Sequence, residues 1–168
     1  MTVRARYGLV LAIYPNSRGI AFVVFEGERT LIDWGIRGAR HKHNQDRYLA
    51  AIGDLLGLYR PAVVVLQNMD PTGTRRAERI RNLNADIVEL AAEAGISICS
   101  YSRDQVRDAF GRQKERTKEA IVNAIAEEIP ALRRHIPPPR KPWTSEHARM
   151  GIFDAAALAL TFFWRSSD

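Results

Sequence analysis

The sequence predicts one α/β domain over residues 1–168, built on a mixed five-stranded sheet with three antiparallel strands followed by two parallel ones, flanked by helices. Three observations point there. The chain opens with three short apolar runs separated by turn residues. Past Asn44, stretches of helical period alternate with short apolar runs. The chain then closes on a long apolar segment of helical character.

Tyr7 to Tyr14 is a compact run rich in Leu, Val and Ile and reads as a buried strand, closed by the turn residues Pro15-Asn16-Ser17-Arg18-Gly19. Ile20 to Glu26 and Thr30 to Arg37 follow as second and third strands, with Gly27 between them. Connections this short imply an antiparallel meander. From Asn44 to Tyr59 the period changes, with Tyr48, Leu49, Ile52, Leu55 and Leu56 at helical spacing, and Arg60-Pro61 ends the helix. Ala62 to Gln67 holds Val63-Val64-Val65, the composition of a strand buried on both faces. Thr74 to Ala94 reads as a long helix closed by Gly95, and Ile96 to Tyr101 as a fifth strand. Ser102 caps a short helix through Ala109, and a further helix covers Thr117 to Ile129. A stiff connector, Ile136-Pro137-Pro138-Pro139-Arg140-Lys141-Pro142, leads to a last helix capped by Thr144 or Ser145 and running to about Trp164. A lone helix does not fold by itself, so the connector carries it across the sheet and marks no domain boundary.

With 46% hydrophobic and 26% charged residues the composition is globular, and no apolar run is long enough to cross a bilayer. The first residues, with two arginines before an apolar stretch, mimic a signal peptide, but no small-residue cleavage site follows and the segment reads as the first strand. Cys99 is the single cysteine, which excludes an internal disulfide and fits a reducing, cytoplasmic setting. It reads as a small buried hydrophobe rather than a nucleophile. The net charge of +6 and the pI near 9.9 favour polyanionic partners.

Three segments carry a family resemblance. Leu11-Ala12-Ile13-Tyr14-Pro15-Asn16-Ser17-Arg18 resembles the first-strand motif of RuvC-like Holliday-junction resolvases, hydrophobic-Gly-Ile-Asp-Pro-Gly-Ser/Thr-Arg. Val64-Val65-Leu66-Gln67 resembles their fourth-strand motif, hydrophobic-hydrophobic-Glu-Gln, and Asp154 to Thr161 resembles their last-helix motif, Asp-Ala-Leu-Ala with alternating aliphatics. Tyr101-Ser102 leading to Val106, with Lys118 at the next helix, also fits the layout. The resemblance implies the ribonuclease-H-like fold, a homodimer, and hydrolysis by two Mg2+ ions held by carboxylates from strand one, strand four and the last helix.

Most of those carboxylates are missing. Tyr14 stands at the strand-one aspartate, Leu66 at the strand-four glutamate, and Gly151 at the acid three residues before Asp154; of the set only Asp154 remains as a metal ligand. A phenol titrating near pH 10 is a poor Mg2+ ligand, and leucine and glycine bring no side-chain oxygen. A rebuilt site would draw on Asp70, His147 and Glu146 with Asp154, His147 and Asp154 being seven residues apart on one helical face. Otherwise Asp70 belongs to a turn, Glu146 favours a helix start, and Asp154 is left as a hydrogen-bond partner, for instance to the Tyr14 hydroxyl. Asn16, in the place of the motif's glycine, tolerates a left-handed backbone and keeps the turn.

Basic residues cluster in four segments: around Arg37 to Arg47; at Arg75, Arg76, Arg79 and Arg81; at Arg112, Lys114, Arg116 and Lys118; and at Arg133, Arg134, Arg140 and Lys141. In the resolvase layout these segments rim the DNA face, where phosphate contacts give affinity without reading sequence. Arg75 and Arg76 open a helix, where the dipole disfavours cations and a bound phosphate would offset that cost. Trp143 reads as a hydrophobic staple, and Phe162, Phe163 and Trp164 as the end of the core. Three readings follow: a nucleic-acid-binding protein with a degenerate nuclease site and no bound cofactor, an active Mg-dependent endonuclease with relocated ligands, or a protein-interaction module.

Overall fold

The computed structural model describes residues 8–16, 18–38, 45–69, 75–111, 117–139, 141, 143 and 147–166, without the side chains of residues 75 and 76. Its strands are β1 (Leu9–Asn16), β2 (Gly19–Glu26), β3 (Leu31–Arg37), β4 (Val63–Gln67) and β5 (Ser97–Tyr101). The helices are α1 (Gln45–Tyr59), α2 (Arg75–Glu93), α3 (Arg103–Ala109), α4 (Lys118–Glu128) and α5 (Met150–Ser166), with a 3-10 segment at Pro130–His135. The sheet order is β3-β2-β1-β4-β5. β1 to β3 form the expected antiparallel meander, and β4 and β5 join β1 in parallel.

Alternation along the central strands divides the molecule into three layers. Leu11 and Ile13 of β1, with Val64 and Leu66 of β4, face α1 and α2. Val10 and Ala12 of β1, with Val65 of β4, face the layer of α4 and α5. α5 lies across β1 and β2, and its small residues Ala155, Ala156 and Ala159 bring the helix close to the sheet. The closest approach is at Gly151, where a Cβ would stand 2.9 Å from Ala21 Cβ and 3.0 Å from Asn16 Nδ2.

The caps follow the sequence. Ser102 and Gln105 form a reciprocal capping box on α3, and Thr117 accepts from the Ala120 N–H on α4. Gly95, at φ 72°, closes α2, and the Ile96 N–H donates to the Ala91 carbonyl in a Schellman arrangement.

Three expectations are corrected. The last helix starts at Met150 rather than at a cap on Thr144 or Ser145, because His147 to Arg149 form a turn whose carbonyls receive the first N–H groups of α5. Asn16 does not adopt the left-handed conformation: it pairs with Gly19 as the last residue of β1, and Gly19 takes the positive φ, 133°. The Asn16 side chain instead holds the turn by accepting from the Arg18 N–H at 2.7 Å. Trp143 is no staple, being 79% exposed with the Lys141 ammonium 5.7 Å from its ring centroid. As expected, Phe162 and Phe163 are buried and Trp164, half-buried, packs against the same core, its Nε1 donating to Glu28.

Candidate functional site

Parallel strands with helical crossovers leave a crevice beyond their carboxyl ends. In this chain that crevice is a cavity of about 340 Å3 where β1 and β4 end, walled by the first turns of α2, α3 and α4 and the middle of α5. The β1/β4 register runs Val10 to Val63 and Ala12 to Val65, and Tyr14 and Gln67 each follow two residues further along their strands. Both side chains line the cavity, and Asp154 on α5 joins them. Lys118, the first residue of α4, reaches in so that its Nζ lies 3.5 Å from Asp154 Oδ2. α3 adds Arg103 and Arg107, one turn apart on the same face, with Val106 between them. The remaining walls are largely apolar, including Ile80 of α2 and Ile121 of α4. Among the described residues, three cations against one carboxylate leave the lining with a formal charge of +2.

Leu66 does not belong to this site. It is 1% exposed and sits in the layer beneath α1 and α2, because neighbouring residues of a strand point to opposite faces. The β4 position that meets Tyr14 and Asp154 is Gln67. Gly151 does lie on α5 one turn before Asp154, but the contact with Ala21 and Asn16 leaves no room for an acid there. His147 precedes α5, so the helical spacing that would align it with Asp154 does not apply; it is exposed, and its Nδ1 accepts from the Arg149 N–H at 3.1 Å. Asp70, Glu146, Arg112, Lys114 and Arg140 lie outside the described residues. Arg75 opens α2 as expected and Arg76 follows it, while Arg79 and Lys141 are exposed and do not line the cavity.

Among the described residues the donor set does not fit a pair of Mg2+ ions. Among the described residues no three His, Cys, Asp or Glu side chains come together, and the cavity's one carboxylate already faces an ammonium. Two hard divalent ions need several anionic oxygens. Sequence reading missed Arg103 and Arg107. Their signal was available, since a basic pair four residues apart on the helix that follows a parallel strand faces the strand ends.

Two groups elsewhere are tuned by burial. The Cys99 thiol is pushed up by desolvation on β5. His135 is held below its ordinary value, first by burial and then by the Arg134 and Arg149 charges. Its Nε2 accepts from Trp34 Nε1 at 3.1 Å, which requires the neutral ring.

No family sequence profile matches the chain, and no curated protein matches it by sequence. Solved structures do. Thermus thermophilus RuvC in complex with a Holliday junction substrate aligns at TM-score 0.67 and 20% identity, over 95% of this chain and 94% of that one. A second Thermus thermophilus RuvC structure aligns at TM-score 0.66 and 20% identity, over 95% of both chains. The yeast mitochondrial Holliday junction resolvase Ydc2 aligns at TM-score 0.54 and 12% identity, over 94% of this chain and 80% of that one. The mixed five-stranded sheet flanked by helices is the ribonuclease-H-like fold that these structures share.

Proposed function

We propose that the chain is a RuvC-like protein that binds branched or structured nucleic acid, DNA foremost, through shape and phosphate contacts, with little or no metal-dependent cleavage. The Lys118–Asp154 ion pair carries this reading. Where two-metal chemistry needs carboxylates to attract cations, this chain supplies the cation from its own side chains. A phosphate approaching the strand ends meets Arg103, Arg107 and Lys118 without an intervening ion. The likeness to a RuvC solved on a Holliday junction, together with the +6 net charge, makes junction DNA the first ligand to test. The resemblance also carries a homodimer, whose twofold axis would match that of a four-way junction. The single cysteine continues to favour a reducing, cytoplasmic location.

The test is a gel-shift titration against a labelled four-way junction and a matched duplex, with and without Mg2+, at two salt concentrations. The expected result is preference for the junction, no dependence on Mg2+, no cut products, and affinity falling by a slope of about 0.9 in log K per log salt for each phosphate neutralised. Mg2+-dependent cleavage abolished by Asp154→Asn would establish relocated ligands instead. Absence of DNA binding at low salt would leave a protein-interaction role.

A further inference from the structure

The three tryptophans of the chain are placed differently. Trp34 and Trp164 are half-buried, and their indole N–H groups donate to His135 and Glu28. Trp143, in the connector before α5, is 79% exposed. Among the described residues it is the one aromatic side chain that lies mostly open to solvent. Tryptophan is highly buried on average, because its ring carries a large apolar area, so an open one calls for a reason.

The segment around this ring is cationic. The Lys141 ammonium lies over the indole, 5.7 Å from its centroid, and takes one of its two faces. Residues 129–145 include Arg133, Arg134, Arg140 and Lys141 and no acid. Of these, Arg133, Arg134 and Lys141 are exposed. An open aromatic face beside a cation suits a stacked base followed by its phosphate. A protein partner would ask instead for a wider apolar patch with fewer lysines. The position also fits. Trp143 stands seven residues before Met150, where α5 starts, and Gly151 meets Asn16 at the end of β1. Seven residues of chain reach at most about 25 Å. That is about seven base pairs of duplex, so one nucleic acid can lie on the strand ends and on Trp143 together.

We infer that Trp143 is a stacking platform for an unpaired base, with Lys141 beside it for the adjoining phosphate, outside the crevice at the strand ends. Pro137, Pro138 and Pro139 stiffen the connector that carries the ring, which lowers the entropy lost when a base settles on it. The unpaired base comes from the branch point of a junction or from a single-stranded arm. The inference rests on the nucleic-acid reading above, but not on a preference for junctions.

Fluorescence anisotropy of the full chain tests it with a labelled oligothymidylate, an abasic strand of equal length, and the four-way junction. The abasic strand offers the same phosphates without the bases. Wild type is expected to bind oligothymidylate about 5- to 150-fold more tightly than the abasic strand, the value of one stacked base. Trp143→Ala, which removes an exposed ring and leaves the core untouched, should erase that difference without changing the salt slope. Lys141→Ala should lower the slope for the single strand by about 0.7. Trp143→Phe should keep part of the difference but lose the quenching of tryptophan emission that the strand causes in wild type. Weakening of the junction as well as the strand by Trp143→Ala would place the unpaired base at the branch point, and weakening of the strand alone would place it in a single-stranded arm; either supports the platform. Equal affinity of wild type for the two strands, or a difference that survives Trp143→Ala, overturns it. Junction binding with that result leaves the proposed function standing, whereas strand binding through Trp143 with no junction binding keeps the platform and removes the junction reading. Binding of no nucleic acid at low salt overturns both.

Discussion

Replacing Gly151 by the aspartate that the resolvase motif carries is predicted to destabilise the fold. A Cβ at residue 151 would stand 2.9 Å from Ala21 Cβ, about 0.6 Å inside the shortest comfortable carbon–carbon contact of roughly 3.5 Å. Ala21 cannot yield, being 1% exposed on β2 between β1 and β3. Overpacking of this kind costs about 1–3 kcal/mol. Gly151 is the second residue of α5, in its first turn, where little glycine propensity is recovered, so Gly151→Ala should lose about 1–3 kcal/mol. Gly151→Asp adds the desolvation of a carboxyl, about 1–3 kcal/mol on the protein mutational scale, for a total of about 2–6 kcal/mol. In a domain of this size each kcal/mol moves Tm by about 2–4 °C, so thermal unfolding followed by circular dichroism should show Gly151→Asp melting about 4–24 °C below wild type, and Gly151→Ala in between. An unchanged Tm for the aspartate variant would show that α5 tolerates an acid at this position, and the steric account of the lost ligand would be wrong.

Three further outcomes follow from the same geometry. Lys118→Ala should weaken junction binding and reduce the salt slope by about 0.9, whereas Asp154→Asn, which removes the one acid among three bases, should strengthen binding in the same gel-shift assay. His135 titrates below its ordinary value in the fold, so the unfolded chain binds more protons; the stabilisation is complete above the unfolded value near pH 6.5 and is lost as pH falls through the folded one. Urea titrations at pH 7.5 and 5 should show that loss for wild type, and a smaller one for His135→Phe. Leu66→Glu should cost roughly 3–4 kcal/mol at pH 7, the work of keeping a carboxyl of ordinary pKa near 4.3 protonated in the layer under α1 and α2, and the loss should shrink at acid pH; Gln67→Glu, in the cavity, should fold and melt near wild type.

Much of the fold was legible because it rests on period and punctuation. Val63-Val64-Val65 marked a strand buried on both faces, and Ser102, Thr117 and Gly95 marked helix ends that the structure uses. The start of α5 was not legible. Thr144 and Ser145 have cap chemistry, yet the helix begins at Met150, where the chain reaches the sheet and α5 can bury its apolar face. The site was only half legible for a related reason. A motif aligned by residue order does not reveal which face of a strand each residue takes, and a shift of one residue moves a side chain from one layer to the other. Leu66 and Gln67 are adjacent in sequence and lie on opposite sides of the sheet.

That face assignment changes what the loss of the metal ligands means. With Leu66 counted in the site, the cavity holds an apolar side chain and one acid. With Gln67 in its place, Tyr14, Gln67 and Asp154 all present polar groups at the strand ends, and the missing positive charge is supplied by Lys118. Under the proposed function the crevice would attract phosphate through a tethered ammonium, which cannot hold an activated water between two ligands as a metal pair does. Under that proposal, binding and hydrolysis, which one set of carboxylates serves in a two-metal enzyme, would be separated. The fold keeps the crevice, α3 and α4 provide the cations, and Gly151, by letting α5 close on β2, removes the space in which a further carboxylate would stand.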